Sequence, residues 1–215
     1  MPAASALTPT TLLAACLGLA GATAHAAEPP RAEPLATPDA AFVVDGVVQS
    51  AFRIRSGGRT LTLLLSRTGT FDAPGSDPEA WLRSARLYAT LYEDLPEDEG
   101  ARQRWRIQDL VDECPADLTA AFTDPPLKIS DADADGEPEI WVGYRIACRG
   151  DVSPSSLKII GYEGTQKYAL RGRSRIALGE SSEGGESSPD AALSAAPKLR
   201  AMASSFWEQV RDERF

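Results

Sequence analysis

The chain has 215 residues, a formal net charge of −9 and a single histidine. That acidity excludes nucleic acid as a partner, because phosphate binding needs a basic face. The one histidine, His25, lies in the N-terminal apolar region. The rest of the chain therefore lacks the imidazole used by Ser-His-Asp and Cys-His nucleophiles and by histidine-based zinc sites.

Residues 1–26 are expected to be a secretory signal. The first charged side chain is Glu28, and Leu12 to Ala24 is an apolar run. That run is shorter than the about 20 residues a spanning helix needs. It ends in Ala24-His25-Ala26, a small-x-small cleavage pattern. Leu13-Ala14-Ala15-Cys16 offers a second reading, a lipobox that would anchor the protein as a lipoprotein at Cys16. Either way the chain is expected outside the cytoplasm, periplasmic or secreted, with no transmembrane segment in the mature chain. In an oxidising compartment Cys114 and Cys148 read as one disulfide, with two buried free thiols as the alternative.

Residues 27–40 are rich in proline and read as a flexible leader. Residues 41–215 are expected to form one mainly β, antiparallel domain. Phe52 and Ile54 alternate with arginines, and so do Leu61, Leu63 and Leu65 with Thr62 and Ser66. Gly57-Gly58 between the two runs supplies a tight hairpin turn. Thr70 to Pro78 is a loop. Ala85, Leu87, Ala89 and Leu91 share one strand face, and Leu95 to Gly100 is an acidic turn. Trp105 and Ile107 begin another strand, while Leu118 to Phe122 fits a short strand or a helical turn. Glu139 to Cys148 has the clearest alternation, with Ile140, Val142, Tyr144, Ile146 and Cys148 on one face. Leu157 to Tyr162 and Lys167 to Leu170 make a hairpin. Residues 179–189, rich in Ser, Gly and Glu, read as a flexible loop. Leu199, Met202, Ala203, Phe206, Trp207 and Val210 recur at helical spacing, so Pro197 to Arg211 is expected to be a C-terminal amphipathic helix.

Asp131-Ala132-Asp133-Ala134-Asp135-Gly136-Glu137-Pro138-Glu139 is the segment with metal chemistry. Calcium takes about six to eight oxygen ligands. Asp131, Asp133 and Asp135 can converge on one ion if the chain coils tightly at Gly136. The carbonyl of Glu137 and the carboxylate of Glu139 can complete the set. Without a cation these carboxylates repel one another. The expected cofactor is calcium; magnesium or manganese and an ion-free acidic turn are the other readings. The loop is not an EF-hand, since Val142 stands where the bidentate Glu belongs and a strand follows. It resembles the calcium loops of integrin-type (FG-GAP) repeats.

Cys114-Pro115, the acidic loop with Trp141, and Cys148-Arg149-Gly150-Asp151-Val152-Ser153-Pro154 resemble a family of exported bacterial proteins of surface-polysaccharide biosynthesis. Lys158, Lys167-Tyr168 and Arg171-Gly172 extend that resemblance, which names a process and no catalytic residues. Read on its own, Gly150 to Pro154 is a capped turn. Lys158 and Arg171 either pair with the acidic loop or are solvated charges. Three functions fit. The first is a non-enzymatic calcium-binding module acting on a polysaccharide or an envelope protein. The second is a carbohydrate-active enzyme working through two carboxylates. The third is a purely structural envelope protein. Trp81, Trp105, Trp141 and Trp207 are candidates to stack on sugars, although Trp105 and Trp207 read as core.

Overall fold

A computed structural model describes residues 29–38, 42–72, 81–95 and 100–214. The expected signal, Cys16, and parts of the 70–78 loop and the 95–100 turn lie outside the described residues. The strands are β1 (Arg31–Pro34), β2 (Val47–Ser56), β3 (Arg59–Arg67), β4 (Phe71–Asp72), β5 (Arg83–Asp94), β6 (Ala101–Cys114), β7 (Asp117–Ser130), β8 (Glu139–Arg149), β9 (Ser156–Glu163), β10 (Gln166–Arg173), β11 (Arg175–Leu178), β12 (Ser181–Gly184) and β13 (Ser187–Pro189). Two helices follow, α1 (Ala191–Ala195) and α2 (Pro197–Val210). The molecule is mainly β with antiparallel sheets and a C-terminal helix, as the alternating pattern requires.

The first sheet runs β1-β2-β3-β5-β6, with short β4 beside the start of β5; the second runs β13-β10-β9-β8-β7. The two sheets pack face to face. Leu63, Leu65, Leu87, Ala89 and Ile107 of the first meet Ile140, Val142, Tyr144, Ile160 and Ala169 of the second. These are the alternate positions of each strand, so one face of each sheet is committed to this core.

The second sheet is buried on its other face as well. Trp141, Leu157, Ile159, Tyr168 and Leu170 lie under Leu193 of α1 and under Leu199, Ala203, Phe206, Trp207 and Val210 of α2. Each fully buried Leu, Ile or Phe contributes about 1.5–3 kcal/mol by leaving water. The short α1 is capped by Asp190, whose side chain accepts from the Leu193 amide at 2.8 Å. Pro197 opens α2, where the missing N–H costs nothing.

Two stretches read as flexible in the sequence are strands here. Residues 31–34, within the expected leader, pair with β2 as β1 from Arg31↔Arg55 to Pro34↔Phe52, and the Leu35 amide donates to the Ala51 carbonyl at 2.8 Å. All four side chains of β1 are exposed, so it pairs through its backbone and an exposed Glu33–Arg55 contact, and no apolar alternation marks it. Leu35, Phe42 and Val44 then cover Ala51, Leu64 and Tyr92 on the outer face of the first sheet, and the Tyr92 hydroxyl donates to the Val43 carbonyl at 2.6 Å. The expected loop at 179–189 carries β12, paired with β11, and β13, paired with β10. It too is tied by backbone, and by the Trp207 indole donating to the Gly185 carbonyl at 3.0 Å. Leu118 to Phe122 is strand, part of β7.

After α2 the chain lies along β11. The Arg175 amide donates to Arg211 at 2.7 Å, and the Glu213 amide donates to Arg175 at 2.8 Å. The Glu213 carboxylate then plugs into the second sheet. Arg149 donates to it at 2.7 Å, the Ser155 amide at 3.0 Å and the Ser155 hydroxyl at 2.7 Å. The Ser174 hydroxyl donates to it as well. Burial pushes this carboxyl up, but the bonds from Arg149, Ser174 and Ser155 outweigh it and hold the group at about 2. Arg145 donates to the Val210 and Asp212 carbonyls and fixes the end of the helix.

Candidate metal centre

The acidic loop joins β7 to β8, the longest hairpin of the second sheet. Its turn needs left-handed backbone at Ala134 (φ +64°) and Gly136 (φ +89°). The glycine expected at the sharp bend is therefore at the bend. The loop's carboxylates also shape it, because the Glu137 amide donates to Asp135 Oδ1 at 2.8 Å and the Asp135 amide to Asp133 Oδ1 at 3.4 Å. From outside the loop, the Lys198 ammonium donates to the Asp133 carbonyl at 3.2 Å, and Ala132 packs on the helix-side core.

Glu139 is fully buried where β8 begins. The Ser130 hydroxyl donates to its Oε2 at 2.5 Å, and the Ala132 amide donates to both oxygens at 2.9 and 3.0 Å. Ser130 Oγ in turn accepts from the Trp141 indole at 3.2 Å. A buried carboxylate with only neutral donors keeps most of its charge uncompensated.

Carboxylate oxygens of Asp131, Asp133 and Glu139 lie within 4.8 Å of one another, and so do those of Asp133, Asp135 and Glu163. Asp133 belongs to both groups. Glu137 belongs to neither: its carboxylate crosses to the other sheet and pairs with Arg59 at 2.7 Å. Of the five expected ligand residues, Asp131, Asp133 and Glu139 share one group and Asp135 joins Asp133 in the second, while Glu137, expected to serve through its backbone carbonyl, has its side chain on Arg59.

The residue that sequence reading missed is Glu163, at the end of β9. It is the direct cross-strand partner of Glu139, a like-charge pairing that destabilises a sheet unless something neutralises it. The Tyr168 hydroxyl donates to Glu163 Oε2 at 3.2 Å, while Oε1 is buried without a hydrogen-bond partner. Burial pushes the Glu163 carboxyl up. The Tyr168 bond opposes this, and the charges of Asp133, Asp135 and Glu139 add to it. The Tyr168 phenol is pushed up to about 12, first by burial and then by the charge of Glu163. Among the described residues no Lys or Arg forms a salt bridge with Asp131, Asp133, Asp135, Glu139 or Glu163. Two groups of hard oxygens that share Asp133, one of those oxygens desolvated and unpartnered, fit a divalent cation.

The disulfide expected from the cysteine count is present. Cys114 and Cys148 are bonded, with Cα atoms 5.5 Å apart, across 34 residues of sequence. It joins the end of β6 in the first sheet to Cys148 of β8 in the second, at the open end of the β7–β8 hairpin, whose tip is the acidic loop. The turn after Cys148 is capped as its residues suggested, the Ser153 amide donating to Asp151 Oδ1 at 3.0 Å. Lys158 pairs with Asp109 at 2.5 Å and not with the acidic loop. Trp105 stacks on Tyr162 with ring centroids 4.6 Å apart, and Trp141 and Trp207 are core. Only Trp81 of the four tryptophans is exposed, at 82%.

Among the described residues no helix is long and apolar enough to cross a membrane. Comparison with protein-family models, with curated proteins and with solved structures returns no match to this chain.

Proposed function

We propose that this protein is an exported, non-enzymatic calcium-binding β-sandwich whose ion ties the β7–β8 loop to the β9–β10 hairpin. The observation that carries the reading is Glu163: a buried, unpartnered carboxylate oxygen, opposite a second buried glutamate, with Asp133 and Asp135 in reach. Calcium suits the set better than magnesium. The oxygens come from an irregular loop and a strand end, and the larger ion tolerates irregular geometry. The disulfide supports an oxidising compartment. A polysaccharide or an envelope protein is the binding partner consistent with the family resemblance, and a glycan-binding screen with and without calcium tests it.

The ion's task is stabilisation. At about 1 mM calcium and a dissociation constant of about 0.1 mM, mass action adds roughly 1.4 kcal/mol. The test is calorimetric titration of calcium into metal-free protein, beside thermal unfolding with calcium and with chelator. One saturable site is expected, with a calcium-dependent rise in Tm that Asp133→Asn and Glu163→Gln both lose. Absence of binding up to about 10 mM calcium, well above the usual extracellular range, overturns the proposal. Binding that Glu163→Gln leaves intact overturns the role of β9.

A further inference from the structure

A second polar site lies on the outer face of the first sheet, around Arg53. Ile54 points into the core, so its neighbours Arg53 and Arg55 point outward, opposite Thr62 and Thr60 of β3. Two open clefts of about 560 and 400 Å³ meet there and share Arg53, Asp94 and Leu95. Arg59 and Thr60 line the larger one, Thr62 the smaller.

The acids near this cleft are mostly committed. Glu93 is held by Arg102 at 2.6 Å and Arg104 at 2.9 Å. Glu33, the cross-strand neighbour of Arg53 on β1, turns to Arg55 at 3.6 Å with both side chains about 60% exposed, a pairing of little energetic consequence. Asp94 accepts from the Thr62 hydroxyl at 3.1 Å. Among the described residues Arg53 itself has no acid, carbonyl or hydroxyl partner, although it is half-buried where both clefts meet. A guanidinium presents a planar fork of donors that matches a carboxylate or phosphate. Arg55 adds a second positive charge, and Asp94 with the two threonines offers partners for hydroxyls beside the anion.

We propose that this cleft binds a small oxyanion, a carboxylate or a phosphate carried on a hydroxylated molecule, with Arg53 as its principal contact. The site is built on the first sheet and touches the acidic loop only through Arg59, which pairs with Glu137. The test is an amide NMR titration in calcium-free buffer of low ionic strength, with gluconate, inorganic phosphate and, as a neutral polyol, sorbitol. Saturable shifts confined to residues 53–62 and 93–95 are expected with an anion and not with sorbitol. Saturation by phosphate alone assigns a phosphate ligand, and saturation by gluconate alone assigns a carboxylate. Arg53→Gln, whose spectrum also reports that it is folded, is expected to bind roughly tenfold or more weakly, as loss of charged hydrogen bonds implies. Arg200→Gln, on the exposed side of α2, is expected to bind like the parent. Failure of both anions to saturate, or an Arg53→Gln titration equal to the parent's, overturns the proposal.

Discussion

Replacing Glu213 by Gln removes one negative charge from the plug that fastens the C-terminus and leaves its shape nearly unchanged. The folded carboxyl sits at about 2 against 4.5 for a free glutamate. Its side chain is 8% exposed, as is fitting for a group bonded on several sides. A depression of that size corresponds to about 3 kcal/mol of stability at neutral pH. The folded value lies below the unfolded one. The contribution is therefore complete above the unfolded value and drains away as pH falls through the folded one. By linkage the stability gap between parent and Glu213→Gln is about 3 kcal/mol at pH 7, about 2 at pH 3.5 and about 1 at pH 2.5. Urea unfolding at these three pH values measures it. The shrinking gap is the signature, because other carboxylates titrate equally in both proteins. A gap of the same size at all three values would show that Glu213 acts through packing and refute the electrostatic account.

Three further outcomes follow from the packing. Gly161→Ala should cost about 1–3 kcal/mol or more, because its added methyl runs into the buried ring of Trp141 on the neighbouring strand; parent-like stability in urea would contradict this. Cys114→Ser with Cys148→Ser should lose about 3–4 kcal/mol by freeing a 34-residue loop in the unfolded chain, read as a lower urea midpoint under otherwise identical conditions. Terbium in place of calcium should luminesce on excitation of tryptophan, since Trp141 is joined to Glu139 through Ser130. Trp141→Phe should then lose most of the signal, and an undiminished signal would place the ion elsewhere.

The strands were legible wherever one face is buried. Leu61, Leu63 and Leu65, or Ala85 to Leu91, reveal themselves by a two-residue period. The helix showed for the same reason, with its own period. What escaped was structure that buries no apolar face. The side chains of β1 are exposed and those of β12 nearly so, and their sequences contain residues usually found in coil, a proline in one and Ser with Gly in the other. The candidate metal centre was legible where its ligands are neighbours in sequence. Glu163 is not: it stands 24 positions after Glu139, and only the pairing of β8 with β9 brings them together. Nor could the sequence show that Glu137 turns toward Arg59, because that contact joins two sheets.

β8 is buried on both faces over residues 139–144, but the face that carries Trp141 also carries Glu139, Arg145 and Arg149. Sliding it by one residue exchanges the Ile140, Val142, Tyr144 face for the Trp141 face and turns Glu139 and Arg145 toward the inter-sheet core. The hairpin carries its own reference marks. The disulfide ties the end of β8 to β6, Ser130 bonded to Glu139 fixes the tip, and Trp141 lies over the bare backbone of Gly161 on β9. A chain that mis-threads this hairpin violates all three at once. Such correspondence makes a single alignment of the central strands the one that can be completed, and the carboxylates of two different strands arrive face to face only in that alignment.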